Sequence, residues 1–470
     1  MMRLLNVDEP ELEFGGGQPH IDIRFGLKDY GPLDLLSTQS PKAIRLGIVG
    51  TSEGVEGFSH WITRCRSGIA AKKSRQPYLF PAFPGHDGKT AFNCEFGTDS
   101  LLARELGRTQ LSRLGLVNTI EERIKQAVDI FVAEIEHLCE KTRPDVIVCS
   151  FPEELSPLLD DPRQTTSYDF HDLLKARAMH VRVPLQLVLP SLWDPSKARK
   201  VKRSGVARAL QDEATRAWNM HCALYYKAGG TPWRLKRVST ALDTCFVGIS
   251  FYRSLDRANL STSIAQVFNE RGEGVVIRGS VATVSKEDLQ PHLREEDAFQ
   301  LLKEALKLYK REHHNLPARL VVHKTSPYSD GERTGFDQAV AEADISTHDL
   351  LHLRPSDLRL YRDGVYPPLR GTTLELESDQ FILYTKGSVP FFQTYPGMYV
   401  PRPLDVRVVS SEQSIRFLAH EILGLTKLNW NTTQFDGGDP VSIQASRVVG
   451  QVLRFCGEEQ IIAPRYGFYM

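Results

Sequence analysis

The sequence is poor in several features that would assign it to a protein class. It has seven cysteines in 470 residues, and none of them stand in a C-x-x-C pair. No apolar run approaches the roughly 20 residues of a membrane-spanning helix. Basic and acidic side chains number 58 each, so the formal net charge is zero. The composition therefore argues against a membrane span and against a global cationic field that attracts nucleic acid without specificity.

The cysteines and the first residues bear on the compartment. Several cysteines lie in apolar stretches, which favours buried, reduced thiols such as those of a cytosol. The segment from Met1 to Asp8 turns acidic too early for a secretory signal. We therefore expect a soluble, cytoplasmic protein in which any site for an anion is local.

The order of apolar patterns predicts an α/β fold in two large parts after an N-terminal arm. Residues 1–40 are rich in glycine and proline, and they predict an extended arm with short strands. In the first part strands alternate with helices, which predicts a parallel sheet flanked by helices. These elements are strands at 44–50, 145–149 and 185–189 and helices at 119–141 and 205–227. Gly229 and Gly230 end the last of these helices before a proline, so the first domain boundary is placed there.

The second part begins with an apolar strand from Cys245 to Tyr252. Hairpin strands come first and are followed by alternating strands and helices, which is the order expected for an RNase H-like topology. The further elements are strands at 275–277, at 318–323 and between 374 and 409, and helices at 295–312, 414–423 and 441–455.

Three blocks of sequence resemble Argonaute proteins and occur in the order of that family. YYKAGGTPW (225–233) resembles the junction between the MID and PIWI domains. FHDLLKAR (170–177) with PLQ (184–186) resembles the pocket for the 5′ end of a guide strand. LTKLNWN (425–431) followed by PV (440–441) resembles the last helical part of a PIWI domain. The chain is similar to a prokaryotic short Argonaute, which consists of MID and PIWI without the N and PAZ domains.

The resemblance implies a PIWI domain that does not cut nucleic acid. Where active relatives have metal-binding aspartates, this sequence has Ser250 and Thr325, and Asn431 stands at the looser position of the fourth ligand. Hydroxyl and amide groups cannot hold the two Mg²⁺ ions of phosphodiester cleavage against water. The implied domains are an N-terminal arm (1–40), a MID domain that binds the guide 5′ end (41–229) and an RNase H-like, catalytically inactive PIWI domain (230–470).

Four residues match the positions that bind the guide 5′ phosphate in the family, namely His171, Lys175, Gln186 and Lys227. His171 and Lys175 are four apart, so on a helix they project from one face and can reach one anion. Gln186 lies on a strand, where its amide can donate to a phosphate oxygen, and Lys227 adds an ammonium group at the end of a helix. An ordinary solvated helix face is the alternative for His171 and Lys175.

The last residues are aromatic and apolar, which predicts that they pack against the body of the protein. In relatives the terminal carboxylate enters the MID pocket and helps to coordinate a divalent cation, so the resemblance implies a Mg²⁺ ion held by Met470. A cation makes chemical sense there, because a carboxylate and a phosphate repel each other. Hydrophobic anchoring alone is the alternative for Met470.

Other charged residues leave further interpretations of the function open. Acidic residues near the PIWI strands could form a rearranged nuclease site, although their glycine-rich neighbours predict turns. They are Asp330, Glu332, Asp436 and Asp439, while Glu287 cannot be assigned to the family's loop glutamate.

Basic residues could line a channel for a guide and target duplex by binding its phosphates. They are Arg234, Arg237, Arg253, Arg278, Lys324 and the run from Lys197 to Arg203.

Binding without cleavage can be a complete function, because base pairing reads the sequence while the protein holds the backbone. The partners implied by the resemblance are a 5′-phosphorylated guide RNA, a single-stranded DNA target and a protein with an APAZ region fused to a TIR or sirtuin-like domain. That protein would degrade NAD once guide and target have paired, in defence against plasmids or phages. The other hypotheses are a guide-directed nuclease with a rearranged metal site and a guide-independent scaffold.

Overall fold

In the computed structural model the chain forms two large sheets with helices packed against them. The structure describes residues 2–87, 91–158, 167–198, 210–236, 242–255, 260–266, 274–397, 399–435, 437–457 and 459–470. Within these ranges the helices are α1 (Ile23–Tyr30), α2 (Ser52–Cys65), α3 (Arg108–Leu114), α4 (Ile120–Lys141), α5 (Phe170–Ala178), α6 (Glu213–Lys227), α7 (Glu295–His313), α8 (Asp330–Glu342), α9 (Ile415–Leu425) and α10 (Val441–Leu453). The strands are β1 (Arg3–Asn6), β2 (Leu12–Glu13), β3 (Pro19–His20), β4 (Ala43–Gly50), β5 (Glu95–Glu105), β6 (Val146–Ser150), β7 (Leu185–Val188), β8 (Arg234–Leu235), β9 (Thr244–Arg253), β10 (Leu260–Gln266), β11 (Val275–Val281), β12 (Thr283–Val284), β13 (Pro291–His292), β14 (Arg319–Lys324), β15 (Thr347–Pro355), β16 (Thr372–Glu375), β17 (Gln380–Leu383) and β18 (Leu404–Ser410). Among the described helices, none combines the length and the apolar character needed to cross a membrane.

The first large sheet has four parallel strands in the order β5-β4-β6-β7. Successive side chains of a strand point to opposite faces, so β4 contributes to two cores. Ile44, Leu46 and Ile48 pack in the core that includes Trp61 of α2. Val49 packs in the core that includes residues of α4. The predicted parallel sheet with helices on both faces is confirmed.

The second large sheet has nine strands in the order β1-β16-β17-β18-β15-β14-β9-β10-β11. Its central strands β15, β14 and β9 are parallel, and the strands on either side of them are antiparallel. Helices α7 and α8 cover one face, while α10 packs against β9 and β10 on the other. This mixed, helix-covered sheet is the architecture that the order of elements predicts.

The N-terminal arm contains more regular structure than its composition predicts. β1 joins the second large sheet by pairing with β16, and β2 pairs with β8. Asp22 caps α1 by accepting hydrogen bonds from the backbone N–H groups of Arg24 (2.8 Å) and Phe25 (3.0 Å). The arm contains the short strands that were predicted, but α1 was not predicted, because its local signal is this capping aspartate between stretches rich in glycine and proline.

A second correction concerns residues 329–331, which were predicted to form a turn. Ser329 is the N-cap of α8, and its hydroxyl oxygen accepts a hydrogen bond from the N–H of Glu332 at 3.2 Å. In return the Glu332 carboxylate accepts from the N–H of Ser329 at 2.9 Å. This reciprocal capping box is written in the sequence as S-x-x-E, and it starts a helix rather than a turn.

Buried histidines should make the fold sensitive to acid. His221 of α6 is fully buried, and its ring centroid lies 4.6 Å from that of Phe83 and 5.0 Å from that of His86. Its Nδ1 donates to the carbonyl oxygen of Ala217 at 2.8 Å, and its buried Nε2 makes no hydrogen bond to the described residues. Burial, and to a smaller extent the charge of His86, lowers the pKa of His221 to about 3.

We expect His221→Phe to reduce the loss of stability in acid. A lowered histidine pKa means that the unfolded chain binds a proton that the native chain does not, so stability falls as pH drops from about 6.5 toward the native pKa. Phenylalanine keeps the ring stack and removes this titration. The measurement is the free energy of unfolding in urea at about pH 7 and about pH 5. His60→Phe, at an exposed position, is the control, and an unchanged pH dependence in the His221 variant would contradict the expectation.

Candidate functional site

The residues predicted to bind a guide end meet where α5, β7, α6 and the last residues come together. α5 begins at Phe170 because Asp169 caps it, accepting a hydrogen bond from the N–H of Asp172 at 3.0 Å. Phe170 anchors the helix against Phe131 and Phe151, with ring centroids 5.5 and 4.8 Å apart. The cap and this packing fix the position of the helix that carries two of the predicted ligands.

Two lysines are buried in this site. Only 3% of Lys175 and 2% of Lys227 is exposed. The Nζ of Lys227 donates to the Oε1 of Gln186 at 2.6 Å. The Nζ of Lys175 donates to the backbone carbonyl oxygen of Tyr469 at 2.9 Å and to an oxygen of the Met470 carboxylate. In the described parts of the chain, neither ammonium group forms an ion pair with an aspartate or glutamate side chain, and the charged partner of Lys175 is the carboxylate of Met470. The structure thus brings Lys175, Lys227, Gln186 and Met470 into one site.

The electrostatics of this site favour an anion. Burial lowers the pKa of Lys175 to about 7, although the carboxylates of Asp172 and Asp169 oppose the shift. Burial lowers the pKa of Lys227 well below its usual range, and the charge of Lys175 lowers it further. Two desolvated ammonium groups disfavour each other unless an anion lies close to both. A bound phosphate would therefore raise the pKa of both lysines.

His171 lies at the edge of the site. Its Nδ1 lies 2.8 Å from the Oδ1 of Asp172, and 37% of its side chain is exposed. Partial burial and the charge of Lys175 lower the pKa of His171, against the opposing effect of Asp172. The ring is therefore mostly neutral at pH 7, which suits stacking on a base better than holding a phosphate by charge.

Gln186 is engaged differently from the expectation. Its Oε1 accepts from Lys227, while its Nε2 donates to the carbonyl oxygen of Leu187 at 2.9 Å. In this arrangement the amide orients the ammonium group of Lys227. The amide has a second N–H with which it can donate to a ligand.

A Mg²⁺ ion at Met470, as expected, would share that residue's carboxylate with Lys175. The oxygen of Met470 accepts a hydrogen bond from Lys175, so a dication beside it would adjoin a buried positive charge. Ligand atoms of Asp169, His171 and Asp172 lie within 4.8 Å of one another, but they are joined by the helix cap and the His171 hydrogen bond. The predicted packing of the last residues is confirmed, since Met470 is 6% exposed. The site fits an anion, and its metal stays a prediction.

A second feature of interest is the sheet edge where β9 and β14 end. The two strands are parallel with Ile249 beside Lys324, and the N–H of Thr325 donates to the carbonyl oxygen of Ile249 at 3.2 Å. Ser250 and Thr325 are therefore neighbours where β14 ends beside β9, at the carboxyl side of the parallel strands, where ligands of α/β sheets collect. The two positions predicted to lack an aspartate thus belong to one place, and each offers only a hydroxyl group.

Comparisons with known proteins bear on both features. No protein-family model matches the sequence. Protein argonaute of Aquifex aeolicus is 23% identical over 290 residues, which cover 61% of this chain and 36% of that relative. Clostridium butyricum Argonaute, solved with a guide DNA and a 19-mer target DNA, is similar in structure with a TM-score of 0.66 and 12% identity, over 100% of this chain and 55% of that one. Drosophila Piwi gives a TM-score of 0.61 and 13% identity, over 99% of this chain and 56% of that one.

The fold is an Argonaute fold. Neighbours by sequence and by structure alike are Argonaute and Piwi proteins. The chain spans 36% of the curated relative and about half of the solved structures that it matches. Its first and second large sheets have the architecture of MID and PIWI domains, and these names are used for the two parts below. The domain bounds at residues 40 and 229 stay a prediction.

Asn431, the third position at which the resemblance implies a replaced metal ligand, stays a prediction. Its segment contacts α6, since the N–H of Thr433 donates to the Oδ1 of Asn219 at 2.8 Å. The helix that packs on β9 is α10, and a Cβ added to Gly248 would lie 2.0 Å from the carbonyl oxygen of Ser442. The 13 residues of α10 include no aspartate or glutamate. The position opposite β9 therefore lies on α10, and α10 supplies no carboxylate there.

Glu332 and Lys324 serve the PIWI core rather than a nuclease site or a channel. Glu332 is fully buried and accepts hydrogen bonds from the Nζ of Lys324 (2.9 Å) and the N–H of Leu293 (2.8 Å). Lys324 is itself 0% exposed. The expectation that Lys324 lines a nucleic-acid channel was wrong, because its ammonium group neutralises a buried carboxylate.

The other acidic residues of the nuclease alternative are dispersed. Asp330 is exposed at the start of α8, and Glu287 is exposed as well. Asp439 forms an ion pair with Arg447. Asp436 lies outside the described residues. These positions do not converge on Ser250 in any contact of the described chain.

The basic residues expected along a channel have varied surroundings. Arg253 is exposed. Arg237 and residues 199–203 lie outside the described ranges. The remaining contacts are two hydrogen bonds from Arg234 to Glu13 (2.7 and 3.0 Å), one from the Nη1 of Arg278 to the carbonyl oxygen of Gly457 (2.7 Å), and ion pairs of Lys197 with Glu53 and Glu153.

Proposed function

We propose that this chain is a guide-binding Argonaute protein that holds the 5′ phosphate of a guide RNA in its MID part and does not cut the target. The observation that carries the proposal is the pair of buried lysines, Lys175 and Lys227, which have no aspartate or glutamate partner among the described residues; Lys227 donates only to the neutral amide of Gln186. A terminal phosphate brings close to two negative charges and several acceptor oxygens at neutral pH. It therefore supplies the counter-charge that Lys227 lacks and a second anionic partner for Lys175, while His171 would stack beneath the first base.

The absence of cleavage in this proposal rests on the PIWI sheet edge. Ser250 and Thr325 offer hydroxyl groups, α10 offers no carboxylate, and Glu332 is bonded to Lys324. Two-metal cleavage needs several anionic oxygens around the ions. We infer that binding itself is the activity of this chain.

The proposal extends to a target and an effector. A guide held by its 5′ end would pair with a single-stranded DNA target, and the structurally similar Clostridium butyricum Argonaute was solved with a guide DNA and a target DNA. A protein that binds without cutting needs a second activity to act on the result. We propose that an APAZ protein with a TIR or sirtuin-like domain supplies it by degrading NAD after pairing. This part of the proposal rests on the resemblance in sequence.

The proposal is tested by the nucleic acid that accompanies the protein. We expect the chain, expressed with its genomic neighbour, to carry short RNAs with 5′ phosphates, as determined by sequencing and by end-group chemistry. The loaded protein should leave a complementary single-stranded DNA intact in the presence of Mg²⁺.

Ser250→Asp is the control for the cleavage assay, because one added carboxylate is too few for a two-metal site and this variant should be inactive as well. Cutting by the unsubstituted protein would contradict the non-cleaving proposal. RNAs with 5′ hydroxyl groups, or a complex with the neighbour but without nucleic acid, would contradict the guide pocket.

A further inference from the structure

A stretch of the MID part is strongly basic although the charges of the whole chain cancel. Residues 64–86 contain no aspartate or glutamate. Their basic residues are Arg64, Arg66, Lys72, Lys73 and Arg75. This local imbalance is visible in the sequence, and it lies outside the blocks that resemble Argonautes.

The structure folds most of this stretch into an anchored loop, residues 69–83, which we call the basic loop. Its ends are bridged by two backbone hydrogen bonds between Ile69 and Phe83, of 2.8 and 3.0 Å. Its second half is fixed by hydrogen bonds of 2.9 Å from Gln76 to Thr394 of the PIWI part and from Arg24 to the carbonyl oxygen of Leu79. A loop with joined ends and its own anchors is typical of functional surface loops.

The charges at the tip of the basic loop are available to a ligand. Arg64 and Arg66, which precede the loop, pair with Glu213 and Glu95. Lys72, Lys73 and Arg75 are exposed and form no ion pair with the described residues. The Nζ of Lys72 lies 4.9 Å from the centroid of the Phe80 ring, which leaves its charge without an anionic partner.

An aromatic residue stands beside these cations. Tyr78 is 46% exposed, and its ring lies 6.1 Å from that of Phe25 and 5.5 Å from that of Phe391. Two rings from the arm and the PIWI part therefore support it from the protein side. A supported, half-exposed ring next to unpaired cations is the combination with which proteins bind single-stranded nucleic acid, through base stacking and backbone phosphates.

The separation of the basic loop and the guide pocket along α6 matches the length of a short strand. Lys72 lines one surface depression with Arg64, Asp212 and Glu213, at the first turn of α6. Lys227 of the guide pocket is the last residue of the same helix. The helix axis between Glu213 and Lys227 is about 20 Å long, the length of roughly six stacked nucleotides.

The two carboxylates in this depression have partners of their own. Asp212 caps α6 by accepting from the N–H and the hydroxyl group of Thr215, at 3.1 and 2.6 Å. Glu213 pairs with Arg64. Neither carboxylate forms an ion pair with Lys72 in the described part of the chain.

We propose that the basic loop is a second nucleic-acid site, in which Lys72, Lys73 and Arg75 bind backbone phosphates of a single-stranded segment and Tyr78 stacks on one of its bases. The inference rests on the proposed function, because it assigns the segment to the same guide or to its target. Guide and target share one chemistry, that of a flexible polyanion with exposed bases. The test shows which of the two strands binds to the loop.

The test compares Lys72→Ala/Lys73→Ala/Arg75→Ala with a matched control, Arg108→Ala/Arg113→Ala/Lys141→Ala. The control residues are exposed cations on α3 and α4, and α4 packs in the core on the other face of the MID sheet from α2. The probe is a 3′-labelled single-stranded RNA with either a 5′ phosphate or a 5′ hydroxyl group, and its Kd is measured by fluorescence anisotropy at several salt concentrations.

We expect the loop variant to bind the RNA about tenfold more weakly than the control variant. The slope of log Kd against the logarithm of salt concentration should be smaller by about 2, since each lost phosphate contact removes about 0.7. Tyr78→Ala should weaken binding about fivefold or more, and Tyr78→Phe should restore it, because the stacking ring is kept. The loop variant could instead bind the guide as the control does but capture a complementary DNA tenfold more weakly once it is loaded with guide. That result would assign the site to the target strand, and it would also support the proposal.

Equal binding of guide and of target by the loop variant and the control, with equal salt slopes, would overturn the inference. A failure of the inference about the basic loop can be told apart from a failure of the proposed guide pocket. The ratio of Kd values for the 5′-hydroxyl and 5′-phosphate RNAs reports on the pocket and should be unaffected by the loop variant. A ratio of one in the unsubstituted protein contradicts the pocket, whereas a loop effect on both RNAs still upholds the second site.

Discussion

Replacing Lys227 with methionine is expected to weaken binding of a 5′-phosphorylated RNA about ten- to hundredfold while making the empty protein more stable. Lys227 is 2% exposed and donates to Gln186 at 2.6 Å. A hydrogen bond to a charged phosphate is worth about 1.5–3 kcal/mol, and it disappears with the ammonium group. In the empty protein the same ammonium is buried without a counter-ion, so an apolar side chain of similar length removes a cost on the order of 1–3 kcal/mol.

The gain in stability should depend on pH. Burial and the charge of Lys175 lower the pKa of Lys227 relative to the unfolded chain, where lysine titrates near about 10.4. The unfolded chain then binds a proton that the native chain lacks, so the stability of the unsubstituted protein rises as pH increases toward that value. The advantage of methionine is therefore largest near neutral pH and shrinks as pH approaches about 10.

The measurements are the free energy of unfolding in urea at several pH values and the Kd of labelled RNA with and without a 5′ phosphate. Lys236→Met is the matched control, because Lys236 is 47% exposed and pairs with Glu11 at 2.6 Å. It should change neither quantity appreciably. A Lys227→Met protein that is less stable and still prefers a 5′ phosphate would contradict the assignment of the guide pocket.

Replacing Glu9 with glutamine should destabilise the fold by about 3–5 kcal/mol. Glu9 of the N-terminal arm accepts a hydrogen bond from the Nε of Arg370 at 2.9 Å and lies 3.0 Å from the Nζ of Lys427. The side chains of these cations are 1% and 0% exposed. A neutral amide would leave both buried charges without their counter-ion. The aromatic ring of Phe435, over which both cations lie, cannot replace a carboxylate.

The sign of the pH dependence follows from the pKa of Glu9. Burial raises this pKa, but the charges of Arg370 and Lys427 outweigh burial and bring it below its ordinary value. The contribution of the carboxylate is therefore complete above the unfolded value of about 4.3, and it is lost as pH falls through the native pKa. The difference in stability between the variant and the unsubstituted protein should be full at neutral pH and shrink in acid.

Urea unfolding measures the effect on stability, and hydrogen exchange of residues 3–30 reports whether the arm detaches. Glu11→Gln is the control, because it removes an ion pair that is about half exposed at both ends and should cost no more than about 1 kcal/mol. Equal destabilisation by the two substitutions would show that the buried network does not hold the arm.

Local patterns predicted much of the fold. The helix expected at 119–141 is α4 (Ile120–Lys141), and the strand expected at 44–50 is β4 (Ala43–Gly50). Apolar periodicity is strong in both. α1 and α8 were missed, because their starts depend on the side-chain caps Asp22 and Ser329, each a signal of one or two residues within glycine-containing segments.

The sequence by itself determined the α/β class, the order of the MID and PIWI parts and the residue types suited to a phosphate, because periodicity and side-chain chemistry are local properties. Only the tertiary structure decided how those side chains are used. Lys175 meets Met470 across 295 positions, and Lys324 is occupied by Glu332. Burial and charge pairing decide whether an ammonium group is available to bind a ligand or stabilises the core. Both depend on residues that only folding brings together.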